Sequence, residues 1–174
     1  YKKIFPDVEL RTDSKAAGRW NTNYNGEYFA SGVGGTVTGR GADLLIIDDP
    51  HSEGEAVQAQ FNPDIYDKVF EWYTSGPRQR LQPGGAIVIV MTRWSLRDLT
   101  GQVLEAAAQH GGDTWEVIEF PAILPSGRPL WPEFWSYDEL DAIRKELPNG
   151  KWMAQYQQEP TSESNAIVKR DWWN

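Results

Sequence analysis

Leu44-Leu45-Ile46-Ile47-Asp48-Asp49-Pro50 is the stretch of sequence that decides the fold. Four consecutive apolar residues without polar alternation predict a strand that is buried on both faces, as in a parallel sheet. The two aspartates then stand where this strand ends, immediately before a proline. In open α/β sheets, ligands bind at the carboxyl ends of the strands. The stretch therefore predicts an interior strand, over residues 43–48, that brings two carboxylates to a ligand-binding edge.

The paired carboxylates, Asp48 and Asp49, match the pattern of a Walker B element. In such an element the first acid helps to hold Mg²⁺ and the second handles the attacking water. The same pair is also compatible with a simpler role, in which it caps a strand or begins a turn. The motif by itself leaves both interpretations open.

Downstream of this strand, the chain alternates between helix-like and strand-like segments. Pro63, followed by apolar residues at helical spacing, predicts a helix that ends at Gly76-Pro77. A second buried strand is predicted over residues 86–91, and a helix over residues 96–110. Residues 115–120 alternate apolar and acidic side chains, which predicts a third strand at an edge of the sheet. This βαβ alternation predicts an α/β fold with a doubly wound parallel sheet.

The segments on either side of this region have their own patterns. Residues 26–33 are typical of a strand with a glycine near each end, and residues 34–41 form a glycine-rich connection. Beyond Pro121, proline-rich turns lead to a helix predicted over residues 137–147 and to a short helix over residues 151–157.

Composition restricts the classes of function that are open to the chain. The 174 residues include no cysteine, which excludes a disulfide framework and a cysteine-ligated zinc site, and no apolar run approaches membrane-spanning length. The net charge of −8 argues against a broadly basic surface, so any contact with nucleic acid is expected to be local or to be made by sequence outside these 174 residues. The nine tryptophans are interpreted as packing residues rather than as base-stacking platforms. His51 and His110 lack metal or triad spacing and are interpreted as ordinary surface or loop residues.

A phosphate-binding loop is missing from the sequence. No Gly-x-x-x-x-Gly-Lys-[Ser/Thr] motif occurs, and the one Gly-Lys pair, Gly150-Lys151, is followed by Trp152. Without that loop and its lysine, the chain alone is expected to bind ATP poorly. In folds with a Walker B strand the loop comes first along the chain, so we expect it to be encoded upstream of Tyr1.

Four residues stand at positions where nucleotide chemistry needs them. Arg40 lies in the glycine-rich connection, Asp48 and Asp49 end one buried strand, and Thr92 follows the next. Because parallel strands end at the same edge of a sheet, the carboxylates and the Thr92 hydroxyl are expected to share a cleft. An acid pair beside a hydroxyl on the neighbouring strand is how additional-strand nucleotide hydrolases detect the γ-phosphate.

With these motifs in place, the sequence resembles the large terminase subunits of tailed bacteriophages, the ATP-driven motors that package DNA into proheads. The resemblance extends over nearly the whole chain, and residues 91–99 with Gly101 are its most characteristic part. The other matching segments are residues 34–43, 44–50, 83–90 and 152–160. It implies a P-loop NTPase-like fold of the additional-strand, RecA-like class, with a parallel sheet flanked by helices and incomplete at its N-terminus.

The resemblance also implies a role for each candidate residue. Asp48 matches the acid that supports Mg²⁺, usually through water, and Asp49 matches the acid that orients or deprotonates the attacking water, a position that is glutamate in many of these motors. Thr92 matches the motif that couples hydrolysis to movement of the lid subdomain. Arg40 matches an arginine that acts in trans on a neighbouring subunit's ATP. The alternatives are that Arg40 satisfies carbonyls of its glycine loop and that Thr92 caps the following helix.

The resemblance implies a domain organisation and a set of partners. Residues 1–150 correspond to the C-terminal part of the ATPase domain, including the lid region, and residues 151–174 to the hinge and the start of a nuclease domain whose catalytic acids lie further on. The implied cofactors are ATP and Mg²⁺. The implied partners are double-stranded DNA, the portal protein, the small terminase subunit and further copies in a ring, without a membrane. The implied location is the host cytoplasm, on the prohead.

Two other functions fit the same residues. One is a different additional-strand ATPase, such as a helicase-like remodeller, although residues 92–94 and 155–160 argue against it. The other is a non-catalytic interaction module that retains an ATPase fold without a phosphate-binding loop. A phosphate loop encoded in frame upstream of Tyr1 would exclude the module.

Overall fold

The computed structural model describes residues 2–37 and 39–161. The chain divides into two compact units, Tyr1–Arg40 and Gly41–Asn174. Within the described ranges, no helix is both long enough and apolar enough to cross a membrane. The segment predicted as hinge and nuclease start falls partly outside these ranges, because residues 162–174 are not described, and the boundary at residue 150 stays a prediction.

The first unit is a three-stranded antiparallel sheet of strands β1 (Leu10–Ala16), β2 (Arg19–Thr22) and β3 (Glu27–Phe29), in that order. The rings of Trp20 and Tyr28 stack across β2 and β3 with centroids 4.7 Å apart, the kind of cross-strand pair that stabilises a small sheet. The strand predicted over residues 26–33 is confirmed only for its first part. Strands β1 and β2 were not predicted, since both are polar and lack alternation.

The second unit contains the predicted parallel pair. Strand β4 (Ala42–Asp48) pairs with β5 (Leu81–Val90), with Leu44 opposite Ala86 and Asp48 opposite Val90. Helices connect the two strands: α1 (Glu53–Ala59), α2 (Asp64–Ser75) and a single 3₁₀ turn, Pro77–Arg80. The helix predicted from Pro63 to Gly76 is confirmed. The chain therefore has a mixed α/β fold whose small parallel sheet is flanked by helices.

The core of the second unit lies on one face of this sheet. Ile47 from β4, Val69 and Tyr73 from α2, and Leu99 and Val103 from α3 (Leu99–His110) are all buried together. A fully buried aliphatic side chain of this size contributes about 1.5–3 kcal/mol relative to an exposed one. The packing of α2 and α3 against this face fixes where β4 and β5 end, and so positions the residues that follow them.

The opposite face of the sheet is uncovered, so the prediction that β4 is buried on both faces is wrong. Leu44 and Ile46 are 55% and 60% exposed, and Val88 and Val90 on β5 are exposed beside them. The reason is that the helices packed on this sheet, α2 and α3, cover the same face. A continuous apolar run shows that both faces of a strand are apolar, but it does not show what covers each face.

The third strand predicted over residues 115–120 is also wrong, because this segment forms no strand. A cleft of about 720 Å³, here called the β5 cleft, separates residues 113–120 from residues 85–91. Consecutive residues of β5 line it, although their side chains alternate between faces, so the cleft follows the strand's unpaired edge. The alternating sequence is compatible with a strand, but the distance across the cleft prevents backbone pairing with β5.

Near the end of the described residues, three helical elements follow a series of turns. Helix α4 (Tyr137–Glu146) confirms the helix predicted over residues 137–147, and it begins with a capping box between Ser136 and Glu139. The predicted short helix appears as Asn149–Lys151 followed by a π-helical turn, Trp152–Tyr156. Trp152 is buried and stacks on Tyr156, as expected for a packing tryptophan.

Replacing Gly101 by alanine is expected to destabilise the second unit by about 1–3 kcal/mol, because the site has no room for a side chain. A Cβ atom there would lie 1.9 Å from the carbonyl oxygen of Leu96, and backbone cannot move aside as a flexible side chain can. Urea unfolding provides the measurement.

Gly54→Ala is the matched control for this substitution. A Cβ atom at Gly54, in helix α1, meets nothing within 4 Å, so alanine there should stabilise the protein slightly. Equal effects of the two substitutions would contradict the predicted clash.

Candidate functional site

The two carboxylates lie at the carboxyl end of β4, as the sequence predicts. Asp48 is the last residue of the strand, and strand alternation places its exposed side chain on the same face as Leu44 and Ile46. Asp49 has a φ of +40°, in the left-handed region that residues other than glycine rarely adopt. Pro50, the next residue along the chain, is buried.

Asp49 and Thr92 are joined by a hydrogen bond. The backbone N–H of Thr92 donates to Oδ1 of Asp49 over 3.1 Å, and the backbone N–H of Asp49 donates to the carbonyl oxygen of Val90 over 2.9 Å. The structure thus brings together two of the predicted site residues at one sheet edge. The bond is backbone to carboxylate, so it holds the Asp49 side chain at the end of β5 and leaves the Thr92 hydroxyl out of the contact.

Thr92 does not cap the following helix, so that alternative is wrong. The N-cap of α3 is Asp98, whose carboxylate accepts a hydrogen bond from the backbone N–H of Gly101. Within the described part of the chain, the Thr92 hydroxyl has no hydrogen-bond partner.

Asp98 organises the whole segment between β5 and α3, and the sequence analysis missed it. The residue is fully buried, and its carboxylate accepts hydrogen bonds from the backbone N–H groups of Trp94 (2.9 Å), Ser95 (3.2 Å) and Gly101 (2.9 Å). It also forms an ion pair with Nε of Arg93 at 3.0 Å. Four donors on one carboxylate fold residues 93–101 into a single bonded turn.

His51 is buried, which contradicts its interpretation as an ordinary surface or loop residue. Its Nε2 accepts a hydrogen bond from the backbone N–H of Leu99 over 2.9 Å, and its ring lies edge-on to Tyr66. Burial lowers the pKa of His51, an effect that the nearby carboxylates of Asp98 and Glu55 oppose, and burial also raises the pKa of Tyr66 to about 12. The neutral imidazole is therefore the form that the fold requires.

The free energy of unfolding is expected to decrease as the pH drops below about 6.5, the ordinary pKa of histidine in an unfolded chain. Because the pKa of His51 is lowered in the fold, the unfolded state takes up a proton there before the folded state does. The stabilisation is complete above pH ~6.5 and is lost as the pH falls towards the folded pKa. Urea unfolding between neutral pH and about pH 5.5 measures this loss.

Two substitutions serve as controls for this pH dependence. His51→Gln should remove the loss of stability between about pH 6.5 and about pH 5.5 while keeping an acceptor for the N–H of Leu99. His110→Gln, at an exposed position, should leave that loss of stability unchanged. A His51→Gln protein with the same pH dependence as the parent would contradict the assignment.

Arg40 lies in the first unit, and its known contacts are within that unit. Its guanidinium forms an ion pair with Glu27, which Arg19 also contacts, and Cζ lies 4.4 Å from the ring centroid of Phe29. A cation over an aromatic face is an attractive arrangement. Among the described residues, Arg40 thus contacts a carboxylate and a ring rather than the carbonyls of its glycine loop.

The donor set at the end of β4 fits Mg²⁺ only in part. Carboxylate oxygens are suitable ligands, and Mg²⁺ is commonly held by one or two carboxylates together with water and substrate phosphates. Asp48 and Asp49 can supply these one or two carboxylates. In the described part of the chain, no group of three or more acidic or histidine side chains is placed to hold a metal by itself. Further ligands would have to come from the nucleotide and from water.

Comparison with known proteins adds no family assignment. The sequence matches no protein-family model, and a search of curated proteins finds no match. The geometry of the site therefore stands on the residues of this chain alone.

Proposed function

We propose that this chain is part of the ATPase motor of a phage large terminase subunit, which couples ATP hydrolysis to the packaging of double-stranded DNA into proheads. The observation that supports this most is the strained Asp49, whose carboxylate is bonded to the backbone of Thr92 where two parallel strands end. Residues in sparsely populated backbone conformations cluster at active sites. An acid that only began a turn would not need to bridge to the neighbouring strand.

In this function each carboxylate has its own task. Asp48 is exposed at the strand end and would hold a water ligand of Mg²⁺, whose charge offsets that of the nucleotide phosphates when the cofactor is bound. Asp49 would orient or deprotonate the attacking water with the carboxylate oxygen that Thr92 leaves unoccupied. General acid–base assistance of this kind contributes about 10²–10⁴-fold to a rate.

Thr92 would couple the state of the site to strand β5 through its backbone N–H. Its N–H holds Asp49, so a change in the hydrogen bonding of Asp49 changes the position of the end of β5 and of the segment leading to α3. Arg40 would act on the ATP of a neighbouring subunit, which requires it to exchange Glu27 for a phosphate. The remaining partners are the portal protein, the small terminase subunit and further copies in a ring, on the prohead in the host cytoplasm.

This function requires a phosphate-binding loop that the 174 residues do not contain. The β5 cleft supports the proposal because a strand that carried such a loop would need an unpaired neighbour. Asp48, Asp49 and Thr92 do not line this cleft. We therefore assign the cleft to a further strand of the protein and not to ATP hydrolysis. The exposed apolar face of the sheet is likewise typical of a parallel sheet that lacks part of its covering.

The 174-residue chain is expected to bind Mg·ATP too weakly to saturate at millimolar nucleotide, whereas a form extended upstream through the phosphate loop should bind it at least tenfold more tightly, a difference of about 1.4 kcal/mol. Titration with a fluorescent ATP analogue measures both. Equal affinities would contradict the requirement for the loop.

A non-catalytic interaction module is the second candidate, and the uncovered apolar face of β4 and β5 favours it. The two functions differ in what precedes Tyr1 in the gene. An in-frame phosphate loop upstream would exclude the module, and its absence would exclude the motor.

A further inference from the structure

The loops that follow β4 and β5 are bonded to each other at two points. Near the start of the second loop, the N–H of Thr92 donates to Asp49, and at its end the N–H of Leu99 donates to His51. The two acceptors are only two residues apart in the first loop. The second loop is thus held at both of its ends by the short segment that carries the carboxylates.

The second loop is also rigid between these two points. The carboxylate of Asp98 accepts hydrogen bonds from the backbone of Trp94 and Ser95 and pairs with Arg93. A buried, fully bonded carboxylate of this kind fixes the segment around it. A displacement at Leu99 is therefore transmitted to Thr92 rather than absorbed between them.

The burial and the tautomer of His51 suit it to accept the hydrogen bond from Leu99, at the end of the second loop. Its ring is only 3% exposed, and Nε2 must carry a lone pair to accept the N–H of Leu99, which places the proton on Nδ1. Nδ1 has no partner among the described residues. The groups that face the ring are the phenol of Tyr66 on α2, the carboxylate of Glu55 on α1 and that of Asp98 before α3.

We propose that His51 is a positioning residue that holds the start of α3 against the Asp48–Asp49 loop and thereby sets the contact between Thr92 and Asp49. The structural part of this inference depends only on the contacts above. Its consequence for catalysis rests on the proposed function. A side chain that accepts at the position of Nε2 keeps the contact, and one that cannot accept loses it.

Amide hydrogen exchange followed by NMR on the full 174-residue chain tests the structural part. In His51→Leu, the amides of Leu99 and Thr92 are expected to exchange about tenfold faster, while that of the buried Tyr73 in the last turn of α2 keeps its rate. His51→Gln should restore both slow amides, because its carbonyl oxygen can accept from Leu99. His110→Leu, at the exposed end of α3, is the matched control and should change none of them.

Each outcome of this experiment either supports or overturns the positioning role of His51. Faster exchange at Leu99 and Thr92, with rescue by glutamine, supports the positioning role. A response at Leu99 alone overturns it, since Thr92 would then be set independently. Equal acceleration at Tyr73 overturns it too, because His51 would then serve only global packing, and failure of glutamine to rescue overturns the role as acceptor.

ATP turnover of the upstream-extended protein tests the catalytic consequence separately. His51→Leu should lower kcat about tenfold and leave the KM for ATP unchanged, because it displaces the reacting acid without touching the nucleotide. His51→Gln should restore kcat. If the exchange pattern holds but the extended parent does not hydrolyse ATP, the proposed function fails while the positioning role stands. If the parent is active and His51→Leu keeps its kcat, the catalytic consequence is wrong.

Discussion

Asp49→Asn is expected to lower ATP turnover by about 10²–10⁴-fold in the upstream-extended protein, with ATP binding retained. Asparagine is a conservative replacement here for two reasons. It tolerates the left-handed conformation that Asp49 adopts, and its Oδ1 can still accept the N–H of Thr92. The substitution therefore removes the negative charge and the proton acceptor, and it leaves the geometry of the strand end in place.

Two further substitutions make this result specific. Asp49→Gly removes the carboxylate and with it the acceptor for the Thr92 N–H, but it also relieves the positive φ, so it should lose turnover with little net change in stability. Asp43→Asn removes an exposed carboxylate from the same strand and should leave turnover unchanged. Normal turnover in Asp49→Asn would show that the catalytic acid lies elsewhere in the protein.

Asp98→Ala is expected to lower the free energy of unfolding by about 3–5 kcal/mol, the range for removing one partner of a buried ion pair. Three backbone N–H groups and the Arg93 guanidinium lose their acceptor, and Arg93 is itself largely buried. Small domains have about 5–15 kcal/mol of stability, so the loss is a large fraction of the total. The shift of the urea midpoint, together with the slope of the transition, measures it.

The ion pair between Arg78 and Asp113 supplies the control for this prediction. It is bidentate, with both bonds at 2.9 Å, but both partners are partly exposed. Exposed pairs are typically worth about 0–1 kcal/mol, so Asp113→Ala should have a small effect. An Asp98→Ala protein as stable as Asp113→Ala would contradict the role of Asp98 as the centre of the loop.

The parallel pair could be predicted from the sequence because the signals are local. An apolar run between a glycine-rich loop and Pro50 specifies β4, and a second apolar run, over residues 86–91, specifies the second half of β5. The third strand could not be predicted, since alternation in residues 115–120 shows what a strand would look like but not whether an edge is within reach. The uncovered face of the sheet could not be predicted for the same reason: a local pattern does not show what packs against a strand.

The site was predictable where it follows strand ends and unpredictable where it depends on distant contacts. Asp49 and Thr92 meet because parallel strands end together. The role of His51 depends on Leu99, a residue 48 positions away along the chain, and no local pattern indicates that contact. Asp98 did leave a signal: an N-cap aspartate directly before the first buried residue of α3. A helix start at that aspartate, rather than at Leu96, would have revealed it.

The measurement that tests the proposed motor most directly is ATP hydrolysis by the upstream-extended protein, with and without double-stranded DNA. The proposal predicts turnover that DNA accelerates and that Asp49→Asn abolishes. A parent protein that binds ATP but does not hydrolyse it, under either condition, would contradict the motor and favour the non-catalytic module.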